Sequence, residues 1–128
     1  TTEIYTLSLH DALPIWDVCR KSLRAVDIIG RYGGEEFVFL LPETDAKHAE
    51  VVMDRLRRKI AAMPFDTTAG SVHITVSIGI AFIEPGNAEI GHLLDVADKA
   101  LYRAKQTGRN KVVIYNKAEF AAQSNETK

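Results

Sequence analysis

The sequence predicts an α/β (α+β) sandwich, a mixed sheet with helices packed against it. Three observations carry that expectation. Three segments repeat apolar residues at helical spacing, a Gly-Gly pair between two apolar runs marks a β-hairpin, and strand-like apolar runs follow the second and third helical segments, the first of them alternating with period two. From Trp16 the order reads helix, hairpin, helix, strand, helix, strand, and hairpins mixed with crossover helices imply a sandwich of the ferredoxin-like or palm kind.

The opening "TTEIYTLSLHDALPI" settles into no single pattern. "IYTLSL" alternates like a short strand, and Pro14 leaves no room for a full helix before it. "WDVCRKSLRA" then spaces Trp16, Cys19 and Leu23 helically, with Cys19 as a packing residue. "DIIGRY" and "EEFVFLLP" flank Gly33 and Gly34, which supply the positive φ angles of a tight turn. In the second arm Phe37, Phe39 and Leu41 oppose Val38 and Leu40, so both faces are apolar and suit a strand covered on both sides. "TDAKHAEVVMDRLRRKIAAMP" is a helix capped by Thr44 or Asp45, with Ala49, Met53, Leu56, Ile60 and Met63 as its stripe and Pro64 as its stop. "SVHITVSIGIAFI" is one long strand. Its Ile74, Val76, Ile78, Ile80 and Phe82 fill one face, while Thr75, Ser77, Gly79 and Ala81 leave the other flat enough for a helix to approach closely. A third helix, "EIGHLLDVADKALYRAKQTG", has the stripe Ile90, Leu93, Leu94, Ala97, Leu101 and Ala104, with Gly108 at its C′ position. "KVVIY" is a last strand before a polar tail.

Composition narrows the function. The chain has 128 residues, 46% apolar and 26% charged, which suits one domain or a piece of one. A formal net charge of −1 gives no basic excess for nucleic acid or an anionic membrane surface. The longest wholly apolar stretch, Phe37 to Leu41, is far too short to span a bilayer, and no signal peptide is recognisable. Cys19 is the single cysteine, which excludes an intrachain disulfide and points to the cytoplasm. His10, His48, His73 and His92 show no ligand spacing.

Three constellations carry chemistry. In "RYGGEEF" two like charges, Glu35 and Glu36, sit side by side at the mouth of an apolar strand; they repel, and a partner outside the chain is needed to neutralise them. The plain alternative is a solvated hairpin tip. Lys105 and Arg109 stand four apart across the end of the third helix, where cations also complement the helix dipole. Arg24 and Asp27 in "RAVD" have the spacing of an ordinary surface ion pair.

Taken in order, "RYGGEEF", "VSIGIA" and "ADKALYRAKQTGRNKV" closely resemble the GGDEF domain of bacterial diguanylate cyclases, in its glutamate variant, over Trp16 to Tyr115. The resemblance implies a nucleotidyl-cyclase palm fold that condenses two GTP molecules into cyclic di-GMP, releasing pyrophosphate, with Mg²⁺ or Mn²⁺. It implies that Glu35 is the metal ligand and assists deprotonation of the attacking 3′-hydroxyl, with Glu36 as an auxiliary carboxylate. Gly33 and Gly34 let the backbone approach the nucleotide. Lys105 and Arg109 would grip the terminal phosphates, with Asn110 structural. Arg24 and Asp27 would form an inhibitory site for the product, supported by Arg55. A homodimer of GTP-loaded domains and an upstream sensor are implied too.

The family's domain opens with a strand bearing a metal-binding aspartate, then a guanine-recognising segment around Asn-Asp and Gly-His. Residues 1–15 hold neither, and Asp11 lacks the surroundings to replace the aspartate. "YTLSLHDALPI" resembles a translated sequencing adapter. The expectation is therefore a non-family segment at 1–15, a partial GGDEF domain at 16–117 and a polar tail at 118–128. The source protein would be a cyclase, with the chain as printed inactive and its sheet short of a central strand. Two other classes stand beside this. One is a degenerate GGDEF domain that binds cyclic di-GMP or GTP without catalysis. The other, an RNA-binding ferredoxin-like module, is disfavoured by the acidic balance and by Phe37 and Phe39 lying in an apolar strand.

Overall fold

The computed structural model describes residues 9–31, 37–67, 70–82 and 89–116. It is α+β, as the sequence predicts, with helices packed on small sheets.

Helix α1 runs Leu9–Lys21 and places Ile15, Val18 and Cys19 in the core. It corrects two expectations: the helix starts before Pro14 and passes through it, and it stops short of Leu23. As the helix's sixth residue, Pro14 forgoes one backbone bond, to the carbonyl of residue 10. Burial of the three apolar residues that follow outweighs that loss. Leu23, beyond the helix, still packs against the core.

β1 (Ile28–Arg31) and β2 (Phe37–Leu40) form the antiparallel hairpin, in register from Ile28 opposite Leu40 to Arg31 opposite Phe37. Ile29, Phe37 and Phe39 pack on the core, and the Phe37 ring lies 6.0 Å from that of Trp16, tilted 51°. The other face is less covered than the sequence suggested, since the cross-strand partners Ile28 and Leu40 are both exposed.

Helix α2 (Ala46–Ala62) is capped by Asp45, whose carboxylate accepts the His48 backbone N–H at 2.8 Å. Ala49, Met53, Leu56 and Ile60 are its buried stripe, as their spacing demands. Pro64 does end the helix, and it also opens a strand the sequence did not reveal. β3 (Pro64–Thr67) pairs antiparallel with β4 (Gly70–His73). The expected single strand of residues 71–83 is thereby divided: β4 belongs to the β3 hairpin, while β5 (Ile78–Ile80) pairs with β6 (Val112–Ile114) in another sheet.

β5 and β6 are parallel and are joined through helix α3 (Ile90–Gln106). One side of β5 faces α2, where Val76 and Ile80 join Met53, Leu56 and Ile60 in the core. The flat side takes α3, as anticipated. A Cβ on Gly79 would lie 2.9 Å from the Leu101 Cα and closer still to the Ala97 carbonyl oxygen and the Leu101 amide nitrogen. The buried stripe of α3 is Val96, Ala100, Leu101 and Ala104, rotated from the expected one toward the small residues that fit a flat strand. A small apolar cleft lies between β2 and β5, lined by Cys19, Phe37, Phe39, Leu56, Ile60 and Ile78 among others. Among the described residues no helix is long and apolar enough to cross a membrane.

Candidate active site

The hairpin brings Arg31 and Phe37 opposite each other, so both ends of the segment carrying Gly33, Gly34, Glu35 and Glu36 are fixed by backbone pairing. Those four residues themselves lie outside the described residues. Among the described residues no group of three or more His, Cys, Asp or Glu side chains could hold a metal ion. Glu35 and Glu36 are carboxylates, hard oxygen donors of the type that Mg²⁺ and Mn²⁺ take.

The C-terminal end of α3 is fully described. Thr107 is the C-cap and Gly108 the C′ residue, at φ 116°. The Arg109 amide then donates to the Ala104 carbonyl at 2.9 Å, closing the helix in a Schellman-type turn. Arg109 and Asn110 follow at φ 62° and 47°, so three residues in a row occupy the left-handed region. Only glycine does so without strain, and asparagine tolerates it better than arginine. Lys105 is half-buried on the last turn, Arg109 exposed just past it, and Lys111 donates to the Thr107 carbonyl.

Two anchors from elsewhere hold this turn. Asn110 N–H donates to the buried Ser77 hydroxyl at 3.2 Å. Arg57, on α2, donates through Nη1 to Asn110 Oδ1 at 2.9 Å and to its carbonyl oxygen at 3.4 Å. The structural part expected for Asn110 has this physical form. Sequence reasoning missed Arg57 and Ser77, because contacts spanning 53 and 33 residues leave no local spacing to read.

Arg24 and Asp27 are brought together, with the Asp27 carboxylate buried and the Arg24 side chain at the surface. The Arg24 amide donates to Asp27 Oδ2 at 2.8 Å and its Nη2 to Oδ1 at 3.0 Å. Nη2 also reaches the Pro42 carbonyl at 2.7 Å and Thr44 Oγ1 at 2.8 Å, and Arg20 donates to the Asp27 carbonyl at 2.9 Å. Asp27 is buried while the Arg24 side chain stays 54% exposed. The Arg24 side-chain hydrogen bonds are the main cause that holds the Asp27 carboxyl below its ordinary value, against a smaller opposing effect of burial. The pair thus fastens the turn after α1 to the loop that enters α2. Arg55 is exposed on that same helix.

The profile of the family described as "Diguanylate cyclase, GGDEF domain" matches residues 15–111. Diguanylate cyclase DgcP of Pseudomonas aeruginosa is 45% identical over 95 residues, which cover 74% of this chain and 14% of that protein. The response regulator PleD of Caulobacter vibrioides is 37% identical over 95 residues, covering 73% of this chain and 21% of that one. The chain thus spans a seventh to a fifth of the length of these relatives. Among solved structures, the active GGEEF domain of a diguanylate cyclase from Vibrio cholerae matches with a TM-score of 0.75 and 28% identity, over 84% of this chain and 68% of that one. The GGDEF domain of DgcB from Caulobacter crescentus, solved in complex with c-di-GMP, matches with a TM-score of 0.70 and 30% identity, over 79% and 60% of the two chains. Sequence motifs, fold and profile agree: this chain belongs to the GGDEF family of diguanylate cyclase domains.

Proposed function

We propose that these residues serve a diguanylate cyclase that joins two GTP molecules into cyclic di-GMP with release of pyrophosphate. The observation that carries this reading is the anchored turn after α3, which puts two cations, Lys105 and Arg109, at one helix end. A point charge and a forked donor at one place suit a polyphosphate better than they suit a solvated surface. In this reading Lys105 and Arg109 bind the β- and γ-phosphates, which become the leaving pyrophosphate. Gly33 and Gly34 let the backbone approach the nucleotide, Glu35 accepts the proton of the attacking 3′-hydroxyl, and Glu36 assists. Glu35 would also hold Mg²⁺ or Mn²⁺, which when bound supplies charge neutralisation at the reacting phosphate. Each active site supplies one GTP, so two domains must face each other as a homodimer, brought together by a sensor module elsewhere in the protein.

Arg24, Asp27 and Arg55 form the inhibitory product site in the same reading. Asp27 holds Arg24 with its side chain still half-exposed; Nε and Nη2 are engaged by Asp27, Pro42 and Thr44, so a guanine acceptor such as O6 or N7 would be met through Nη1. That geometry also favours the second reading, a regulatory module that binds cyclic di-GMP without making it.

The test is an assay of the full protein with GTP and Mg²⁺, following cyclic di-GMP and pyrophosphate by chromatography. Glu35→Gln should lower synthesis by about 10²-fold or more while cyclic di-GMP binding persists. Binding with no synthesis in the unmodified protein would install the regulatory reading instead. Arg24→Ala with Arg55→Ala should abolish product binding in a calorimetric titration and leave initial synthesis intact.

A further inference from the structure

We infer that Arg57 is a positioning residue for the phosphate-binding turn: from α2 it fixes Asn110, and through Asn110 the direction in which Arg109 leaves α3. The inference rests on the reading of Lys105 and Arg109 as a polyphosphate grip. It begins from a conformational oddity. Arg109 and Asn110 are consecutive non-glycine residues in the left-handed region, at φ 62° and 47°. Such pairs persist only where the surroundings over-determine them. The Schellman closure explains Gly108 and the Arg109 amide, but it ends there. Asn110 is set by contacts from two other elements, the Ser77 hydroxyl on its amide and Arg57 on both its side-chain and main-chain oxygens.

Arg57 is suited to this by its own restraint. Its side chain is only 18% exposed, and Nε donates to Asp54 Oδ1 at 2.8 Å. One edge of the planar guanidinium is thus pinned to its own helix, which aims Nη1 across the gap at Asn110. A lysine could supply one of these contacts and not both. Asp54 is itself shared with Arg58, at 3.1 Å. The arrangement connects the helix that carries Arg55 to the turn that carries Arg109, two features with no proximity in the sequence.

Without Arg57 the turn keeps Gly108 and Ser77 and loses what holds the Asn110 oxygens. The chain at 109–110 then samples right-handed and extended conformations, and Arg109 leaves the helix in several directions rather than one. Ligand binding must then bear the cost of ordering it.

The experiment uses the chain itself, with inorganic tripolyphosphate in the presence of Mg²⁺ as the probe, because that anion asks only for the phosphate grip. Affinity is measured by calorimetry, and amide hydrogen exchange at Arg109 and Asn110 is followed by NMR. Arg57→Gln should weaken tripolyphosphate binding about tenfold and speed exchange at those two amides to a similar degree, with amides inside α3 unchanged. Asn110→Gly, which keeps a left-handed backbone without the side-chain acceptor, should weaken binding likewise. Combined with Arg57→Gln it should add little. Asp54→Asn is the control for a merely stabilising ion pair: it should lower the melting temperature more than it lowers affinity. Tripolyphosphate binding and exchange both unchanged in Arg57→Gln would overturn the inference while leaving the site reading intact. An unmodified chain that ignores tripolyphosphate would overturn the site reading, and Arg57 would then have no ligand to serve.

Discussion

Asp27 and Cys19 are both buried ionisable residues, and their pKa values move in opposite directions relative to what burial alone would do. Asp27 has the guanidinium and backbone amide of Arg24 on its oxygens, so its carboxyl is held low. Its contribution to stability is present above the ordinary carboxylate pKa of about 3.9 and is lost as pH falls below it, through the depressed folded value. Urea unfolding of Asp27→Asn should show a loss of about 1–3 kcal/mol at neutral pH and a shallower decline in acid than the unmodified chain. Cys19 has no such partner to offset burial, which pushes its thiol from 9.0 up to about 12. Here the folded state retains the proton, so stability is complete below the unfolded thiol's pKa of 9.0 and declines as pH rises from there toward about 12. A thiol reagent at pH 8 should therefore leave Cys19 unmodified in the folded chain and label it at once in urea. Cys19 was legible as packing from its helical neighbours. For Arg24 and Asp27 only the spacing was legible: their contacts with Pro42 and Thr44 come from a fold that brings residues 18 and 20 apart in sequence together.

Strand β5 and helix α3 meet with nothing between their backbones. Gly79→Ala puts a methyl group against main-chain atoms of Ala97 and Leu101, which cannot rotate away as a side-chain tip would. The variant should be destabilised by about 1–3 kcal/mol, seen as a lower urea midpoint, whereas Gly30→Ala, with no atom within 4 Å of the added carbon, should stay near the parent. The flat face that makes this contact could be read in advance, because Thr75, Ser77, Gly79 and Ala81 alternate strictly with larger residues. The division of that strand could not. Its partner β3, Pro-Phe-Asp-Thr, has one large apolar side chain and begins with proline, so it carries almost no strand signal until β4 lies beside it. Helix α1 was misjudged for the converse reason, a strong local breaker overridden by buried Ile15, Val18 and Cys19.

The molecule is arranged about the β5–β6 pair, with the α2 core on one face and α3 on the other. Ile60→Ala and Leu101→Ala remove side chains from opposite faces, yet both act on β5. Each should cost about 2–5 kcal/mol, and both should shift the same single unfolding transition, coincident by circular dichroism and Trp16 fluorescence. Two separate transitions would mean that the layers do not share a strand cooperatively. The positions proposed for the grip, at Lys105 and Arg109, were legible as motif. The flat bed at Gly79 was legible too; the anchors that Ser77 and Arg57 put on Asn110 were not, since each crosses between elements. A helix resting on bare backbone is a lever whose fulcrum has no height. From the middle of the Ala97–Leu101 contact to Gly108 is about 13 Å of helix, so a tilt of about 10° would swing the far end by about 2 Å. Errors of about 1 Å at reacting groups are enough to slow chemistry 10²-fold. For the proposed grip, the tolerance to which Arg109 is aimed is thus machined in the strand, by a methyl group that residue 79 does not have.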